Sequence, residues 1–188
     1  MQHIGTQRME TQRLVLRRFE INDAAALYTN WASSADTVTF MRMPPHQSAD
    51  DTRAFVQSII DNYEKTDTYR WAIVLKENNE PIGFIGLTVL SEYDETGDFG
   101  YSVGKAYWNY GYTTEALAAV LRYGLEKAGF NRLEAYHSIR NMASGRVMQK
   151  CGLTYEGRAR QKYRSNLGFE DSDMYAIIKE DIEKVPKT

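Results

Sequence analysis

The sequence predicts a mixed α/β fold of the α+β type. One domain is expected, with a mixed, mostly antiparallel sheet that holds a central parallel βαβ unit and is flanked by helices. Three observations predict it. First, the middle of the chain leaves helical periodicity: WAIVL (71–75) and IGFIGLTVL (82–90) are apolar and β-branched around the turn signal KENNEP, and read as a hairpin. Second, FGYSV (99–103), a helical face over 114–128 and LEAYHSI (133–139) follow one another as strand, helix and strand, the order of a crossover between parallel neighbours. Third, the 188 residues contain no repeat, linker or low-complexity tract, and suit one core rather than two.

The elements follow in order. LVLRRF (14–19) alternates as a first strand, and Asn22 and Asp23 are placed to cap a short helix carrying Leu27, Tyr28 and Trp31. MRMPPHQ (41–47) is a loop. Ser48 with Asp51 has capping-box spacing, ahead of a helical face at Phe55, Val56, Ile59, Ile60 and Tyr63. After the hairpin and FGYSV, the helical face returns from Thr114 at Leu117, Val120, Leu121, Leu125 and Ala128, with Gly129 as terminator. Beyond strand 133–139, Ser144 to Lys150 reads as a short helix ended by Gly152. LTYEGRARQKY (153–163) and DMYAIIK (173–179) close the chain as paired strands.

Composition excludes several classes. A net charge of −2 argues against a general nucleic-acid binder. No run approaches membrane-spanning length, so no membrane partner is expected. The single cysteine, Cys151, rules out an internal disulfide and makes a Cys-based metal site unexpected. With no apolar leader, the default compartment is the reducing cytoplasm.

One stretch stands out: YWNYGYTTEAL (107–117) crowds aromatics around Gly111 and delivers the chain onto a helix. A helix N-terminus carries N–H groups with no internal partner and a partial positive charge. A glycine there lets a ligand approach the backbone, so the turn suits a pyrophosphate. The alternative is plain punctuation before a helix. The turn is neither a Walker loop, lacking Gly-Lys-Ser/Thr, nor the GxGxxG dinucleotide fingerprint.

Taken together, ETQRLVLRRF, NEPIGFIGL, DFGYSV, YWNYGYTTEAL, NMASGRVMQKCGLTYEG and DSDMYAII resemble, in order and spacing, the GCN5-related N-acetyltransferase (GNAT) superfamily. Within it, the closest likeness is to the branch that acetylates ribosomal-protein N-termini. The resemblance covers roughly residues 10–180 of a single 1–188 domain. It implies acetyl-CoA as cosubstrate and no metal. It places the pyrophosphate on the turn at Trp108, Asn109, Tyr110, Gly111, Tyr112 and Thr113. It lays the pantetheine between two splayed parallel strands, 99–103 and 133–139, so Tyr101, Ser102 and Val103 are cofactor-binding candidates. An amide-containing arm also suits an open strand edge on general grounds. The chain departs from the family turn, Gln/Arg-x-x-Gly-x-Gly/Ala. Trp108 and Thr113 replace its ends, and Asn109 and Tyr110 stand where the branch often has Gly and a basic residue. Lost positive charge there could be compensated from residues 129–165, which hold eight Lys or Arg (132, 140, 146, 150, 158, 160, 162, 164) against Glu134 and Glu156. Arg146 is the cofactor candidate among them; the alternative is a solvated basic face.

Acetyl transfer to an amine needs a neutral amine, a stabilised carbonyl oxygen and a proton for the leaving thiolate. The resemblance assigns Asn141 and Ser144, an N-x-x-S pair, to pantetheine binding and to thiolate protonation. Ser144 could equally be a helix N-cap. Many relatives carry a tyrosine acid at the position of Met148. Asp98, where the branch often carries Glu, is the candidate base, directly or through a water, against a solvated strand-end carboxylate. His137 has the better ordinary pKa, against a structural strand histidine. Some relatives carry a carboxylate just before the tyrosine matching Tyr163; Lys162 occupies that place. Glu115 complements the helix dipole, and Cys151 reads as core filler. Arg42 and His46 in the 41–47 loop either meet an acidic acceptor or belong to an ordinary exposed loop. The expected function is direct acetyl transfer from acetyl-CoA to a primary amine, first a protein N-terminus. The alternatives are a small-molecule amine, or a non-catalytic CoA-binding regulatory module. The sequence leaves the oligomeric state open, a homodimer included.

Overall fold

A computed structural model of the chain describes residues 1–187. The first strands are β1 (Met9–Glu10) and β2 (Leu14–Arg17). Then come α1 (Asp23–Leu27), which runs into a π-helical turn at Tyr28–Ala32, α2 (Ala35–Val38) and α3 (Ala49–Ile60). The strands β3 (Tyr69–Leu75), β4 (Pro81–Ser91) and β5 (Thr96–Val103) follow. After a 3-10 turn, α4 (Tyr112–Arg122) continues as a π-helical turn to Ala128 and leads to β6 (Arg132–Ser138). The chain ends with α5 (Met142–Lys150), β7 (Thr154–Ser165), β8 (Gly168–Ile178) and a 3-10 segment at Lys179–Lys184. All eight strands form one sheet in the order β1-β2-β3-β4-β5-β6-β8-β7. Only β5 and β6 run parallel; the other neighbours are antiparallel.

Helices cover both faces, which explains why the central strands read as near-continuous apolar runs. Leu14, Leu16, Trp71, Ile73 and Leu75 pack towards α4 and its continuation, with Leu117, Leu121 and Leu125. Val15, Ala72 and Val74, from alternate positions of the same strands, face Leu27, Trp31, Val56 and Ile59 of the other helical layer. The strand period of two sorts these residues between the faces. Ser48 and Asp51 form the expected capping box on α3, and Gly129, with φ +82°, ends the helix before β6.

Three local expectations are corrected. Asn22 makes no side-chain cap on α1. Asp23 is buried and is held instead by the Arg17 guanidinium, at 2.7 Å and 2.8 Å, and by the Glu20 N–H. A cation six residues away outcompetes the cap there, because a buried carboxylate needs a charge partner. The helix placed from Ser144 starts earlier, at Met142, with Asn141 as its N-cap; the Asn141 Oδ1 accepts from the Ser144 N–H at 3.4 Å. The helix placed from Thr114 likewise starts at Tyr112.

Two contacts fix the C-terminal end of β5. The Trp31 indole, fully buried, donates to the Ser102 hydroxyl at 2.8 Å. Gly104 lies so close to the π-helical turn that an added Cβ would stand 1.9 Å from the Asn30 carbonyl oxygen. Its φ of −56° suits any residue, so the constraint is space alone. Gly104→Ala should therefore lower the folding free energy by about 1–3 kcal/mol, as overpacking does. An unchanged urea midpoint would show that the turn relaxes freely.

Candidate active site

The backbone ladder between β5 and β6 runs only through Thr96–Arg132, Gly97–Leu133 and Asp98–Glu134. Past that point each strand keeps its outer partner: β5 pairs with β4 as far as Val103, and β6 with β8 as far as Ser138. The two strands part, and a cleft of about 500 Å³ opens between them. It reaches from Trp108, Gly111 and Thr113 at one end to Phe40, Met41, Tyr136 and Tyr163 at the other. Its walls include Tyr101, Ser102, Val103, Asn109, Tyr112, Asn141, Ser144 and Arg146. Tyr110 and Asp98 are not among the lining residues.

At the first end the turn has the required backbone. Gly111 is left-handed, with φ +84°, and Asn109 has φ +66°. Asparagine tolerates that conformation better than other side chains, so Asn109 can stand where the resembling branch carries Gly. The Trp108 indole donates to the Val103 carbonyl at 2.7 Å and ties the turn to the end of β5. The Glu115 N–H is bonded to the Gly111 carbonyl, and the first-turn N–H groups ahead of it have no acceptor within the helix. Tyr110 is exposed and stacks on Tyr112 outside the cleft.

Sequence reasoning missed Arg13. Its Nη1 donates to the Tyr110 carbonyl at 2.9 Å, and its guanidinium lies 4.6 Å from the Tyr112 ring centroid. Its Nε donates to Glu115 at 2.8 Å. Glu115 also accepts from the Thr11 hydroxyl and the Arg13 N–H, at 2.6 Å and 2.7 Å. Burial opposes ionisation of Glu115, but these bonds outweigh it and hold its pKa below the usual value. Glu115 therefore anchors the N-terminal segment as well as standing in the first turn of α4. No local signal links Arg13 to a turn a hundred residues away.

Along the cleft wall, α5 presents Ser144. With Asn141 as the cap, the Ser144 hydroxyl is free of capping and lies 3.0 Å from the Tyr101 hydroxyl. Tyr101 Oη also donates to the Ser144 carbonyl at 3.0 Å. Burial pushes the Tyr101 phenol well above its ordinary pKa, so it keeps its proton. His137 is buried; its Nδ1 bonds the Ser138 carbonyl at 2.8 Å, and its ring stacks on Tyr175. A Cβ on Gly145 would stand 2.4 Å from His137 Nε2, so α5 sits directly on the ring. This environment matches the structural reading of His137. Met148 and Cys151 are core residues, and burial pushes the Cys151 thiol up to about 12, which keeps it unreactive.

Asp98 stands where the ladder ends. Burial raises its pKa, against a Thr88 hydrogen bond and the Arg70 charge that lower it. The Ser102 hydroxyl accepts the Trp31 indole N–H.

The far end of the cleft is built around Glu170, a second residue that sequence reasoning missed. It is 1% exposed and accepts from Ser138 and Ser165, both at 2.6 Å, and from the Arg140 guanidinium. It thereby joins the end of β6, the loop into α5 and the β7–β8 hairpin. Nearby, Arg42 donates to the Tyr136 hydroxyl at 2.8 Å. His46 turns away: it bonds Thr52 and packs against Trp31 and Phe55. The basic run also divides. Arg132, Arg140 and Arg158 pair with Glu134 and Glu156, Glu170, and Asp173. Arg146 and Lys150 line the cleft and have no carboxylate partner among the described residues.

Burial opposes the Glu170 charge, yet the bonds from Arg140, Ser138 and Ser165 prevail and hold its pKa down to about 2. The unfolded chain, with an ordinary value near 4.5, takes up this proton first as the pH falls. The stability from Glu170 is thus complete above that value and lost as the pH drops towards about 2. Glu170→Gln should cost about 1–3 kcal/mol at neutral pH. The gap between variant and parent should narrow inside the acid window. Urea titrations at both pH values measure it, and a constant gap would dismiss the charge as its source.

The arrangement fits the acetyl-CoA that the resemblance implies. The parted strands offer unpaired backbone to an amide-bearing arm, and the turn offers free N–H groups beside cations. No group of three His, Cys, Asp or Glu among the described residues is arranged to hold a metal ion. Comparison with known proteins agrees. Residues 13–154 match the acetyltransferase (GNAT) domain family. The N-acetyltransferase YoaA of Bacillus subtilis (strain 168), whose role is uncharacterised, is 28% identical over 171 residues, covering 91% of this chain and 96% of that protein. The crystal structure of a GNAT-family acetyltransferase from Bacillus anthracis superposes with a TM-score of 0.82 at 26% identity, over 93% of this chain and 99% of that one. A ribosomal L7/L12 α-N-protein acetyltransferase in complex with coenzyme A shares the fold, with a TM-score of 0.79 at 20% identity, over 92% and 98% of the two chains. The glycine turn, the parted strands and the family match lead to one conclusion: this chain belongs to the GNAT family and is an acetyl-CoA-dependent N-acetyltransferase.

Proposed function

We propose that the chain acetylates the N-terminal amine of a protein by direct attack on acetyl-CoA held in the cleft. The observation that carries this is the cleft itself. Its phosphate-competent turn and its aromatic mouth lie at opposite ends of one continuous gap between β5 and β6. An acceptor can enter at Tyr136 and Tyr163 while the cosubstrate occupies the other end. The shared fold with an enzyme named for α-N-protein acetylation supports the choice of acceptor.

Bound acetyl-CoA supplies the thioester acetyl group. The amides of the 108–114 turn, with Arg146 and Lys150, hold the phosphates. The open edges of β5 and β6 and the Asn141 amide hold the amide-bearing arm. Ser144 gives its hydroxyl proton to the departing sulfur, and Tyr101, which stays protonated and lies within hydrogen-bond reach, orients that hydroxyl. Asp98, at the end of the β5–β6 ladder and with its pKa raised by burial, accepts a proton from the incoming ammonium through a water.

Two experiments test these roles. Ser144→Ala should leave the acetyl-CoA affinity in place and lower kcat about a hundredfold, the usual scale for a general acid. Tyr101→Phe should lower kcat less, again with KM for acetyl-CoA held. Full turnover in folded Ser144→Ala protein would remove the acid assignment. For the turn, Gly111→Val places a branched residue at positive φ where the backbone must meet the pyrophosphate. Its affinity for CoA and for dephospho-CoA should fall in parallel by about tenfold or more, the worth of one charge-assisted hydrogen bond. Pantetheine binding should change much less. Parent-like CoA affinity in a folded Gly111→Val protein would mean that the turn holds no phosphate.

A further inference from the structure

The acceptor mouth carries two cations that pair with no carboxylate among the described residues. Arg42 comes from the loop after α2, and Lys162 from β7. The β7–β8 hairpin clamps that loop: Asn166 donates to the Met41, Val38 and Met43 carbonyls, and Tyr163 to the Phe40 carbonyl at 2.9 Å. Between Ala159 and Tyr163 the register of β7 against β8 slips, with Gln161 at φ +46°, and this bulge sets the position of Lys162. Below both cations lie Tyr136 and Tyr163, their ring centroids 5.2 Å apart. The Arg42 guanidinium sits 5.4 Å from the Tyr163 centroid, and the Lys162 ammonium 5.5 Å from that of Tyr136. Both cations are exposed. Of the neighbouring carboxylates, Glu170 pairs with Arg140, Asp173 with Arg158 and Asp36 with Lys105, while Asp171 accepts the Gln161 N–H at 2.8 Å without forming an ion pair. Among the described residues, neither Arg42 nor Lys162 has a carboxylate partner.

The geometry points to an acceptor that carries an anionic group, a carboxylate or a phosphate, close to its reacting amine, with Arg42 and Lys162 as the anion site. Arg42 uses one donor on Tyr136 and keeps the rest of its planar fork for a bidentate anion. The aromatic floor holds both cations in place without neutralising them. Asp98 supplies the opposite sign at the end of the β5–β6 ladder, near enough for the Arg42 charge to be felt there. An amine drawn towards Asp98 and an acid drawn towards Arg42 and Lys162 orient one acceptor. This inference rests on the acceptor entering at Tyr136 and Tyr163, and it adds a substrate class to that reading.

The test is a panel of matched acceptors assayed by thiol release from acetyl-CoA. One arm uses C-terminally amidated peptides with Glu at the second position, against the same peptides with Gln. The other uses small primary amines bearing a carboxylate or a phosphate, against their neutral counterparts; the arm with the larger preference identifies the source of the anion. The acidic member should win by roughly tenfold in kcat/KM, the scale of one charge-assisted hydrogen bond. The ratio should shrink as salt is raised. It should fall towards one in Arg42→Gln, Lys162→Gln protein, whose unchanged thermal shift with CoA shows an intact fold. Calorimetric binding of the same pairs to the CoA-saturated protein decides the preference even if no acceptor is acetylated, and so separates this inference from the transfer reaction. A ratio near one in the parent, or a ratio untouched by the double substitution, overturns it.

Discussion

Everything functional here depends on two parallel strands that are hydrogen-bonded at one end and not at the other. The β5–β6 ladder stops at Asp98 and Glu134, although both strands continue. Left alone, two adjacent strands would zip, because unpaired backbone groups are costly away from water. Here the outer neighbours hold them apart. On one side β4, Trp31 and the close approach of Gly104 to Asn30 fix β5. On the other, β8 and the Glu170 network fix β6 and the loop beyond it. The helix α5 closes the gap from above, seated on His137 through Gly145 and bonded to Tyr101 through Ser144. The result is a sheet edge in the middle of a sheet, open to an extended ligand with amides of its own.

The glycine turn divides its work among residues of different kinds. Gly111 and Asn109 supply backbone conformations that most side chains resist. Arg13 supplies rigidity, bridging the Tyr110 carbonyl and Glu115, and places a cation beside the turn. The same Glu115 holds Thr11, so the first strands and the start of α4 move as one piece. Anion binding at a helix end needs both open N–H groups and a fixed frame, and the second comes from the far end of the chain.

Charge is sorted along the cleft rather than spread over it. Arg146 and Lys150 flank the turn end, while Arg42 and Lys162 stand at the mouth. Tyr101 and Ser144 line the cleft and Asp98 stands where the ladder ends, and burial raises the pKa of both Asp98 and Tyr101. That distribution suits a reaction in which protons move at the centre while anionic groups are held at the ends.

Much of this was legible in the amino-acid order. The alternation in β2 and β3, the KENNEP hairpin, the capping box at Ser48 and the strand–helix–strand run through Gly111 depend on local periodicity and turn chemistry, which neighbouring residues determine. The turn and the Asn141–Ser144 pair stand out in the sequence for the same reason: their motifs are contiguous. The rest required distance in sequence to become contact in space. Which of Asn141 and Ser144 caps α5 was decided by where the chain leaves β6. That Arg13 braces the turn, that Glu170 is buried beneath Ser138 and Arg140, and that His46 packs inward while Arg42 reaches the Tyr136 hydroxyl were settled by packing. The basic run of residues 129–165 looked uniform because its neutralising partners Glu170 and Asp173 lie outside it, across the β7–β8 hairpin and beside β6. Periodicity and caps are properties of neighbours along the chain, whereas a charge finds its partner through space, and only the tertiary fold brings those partners within range.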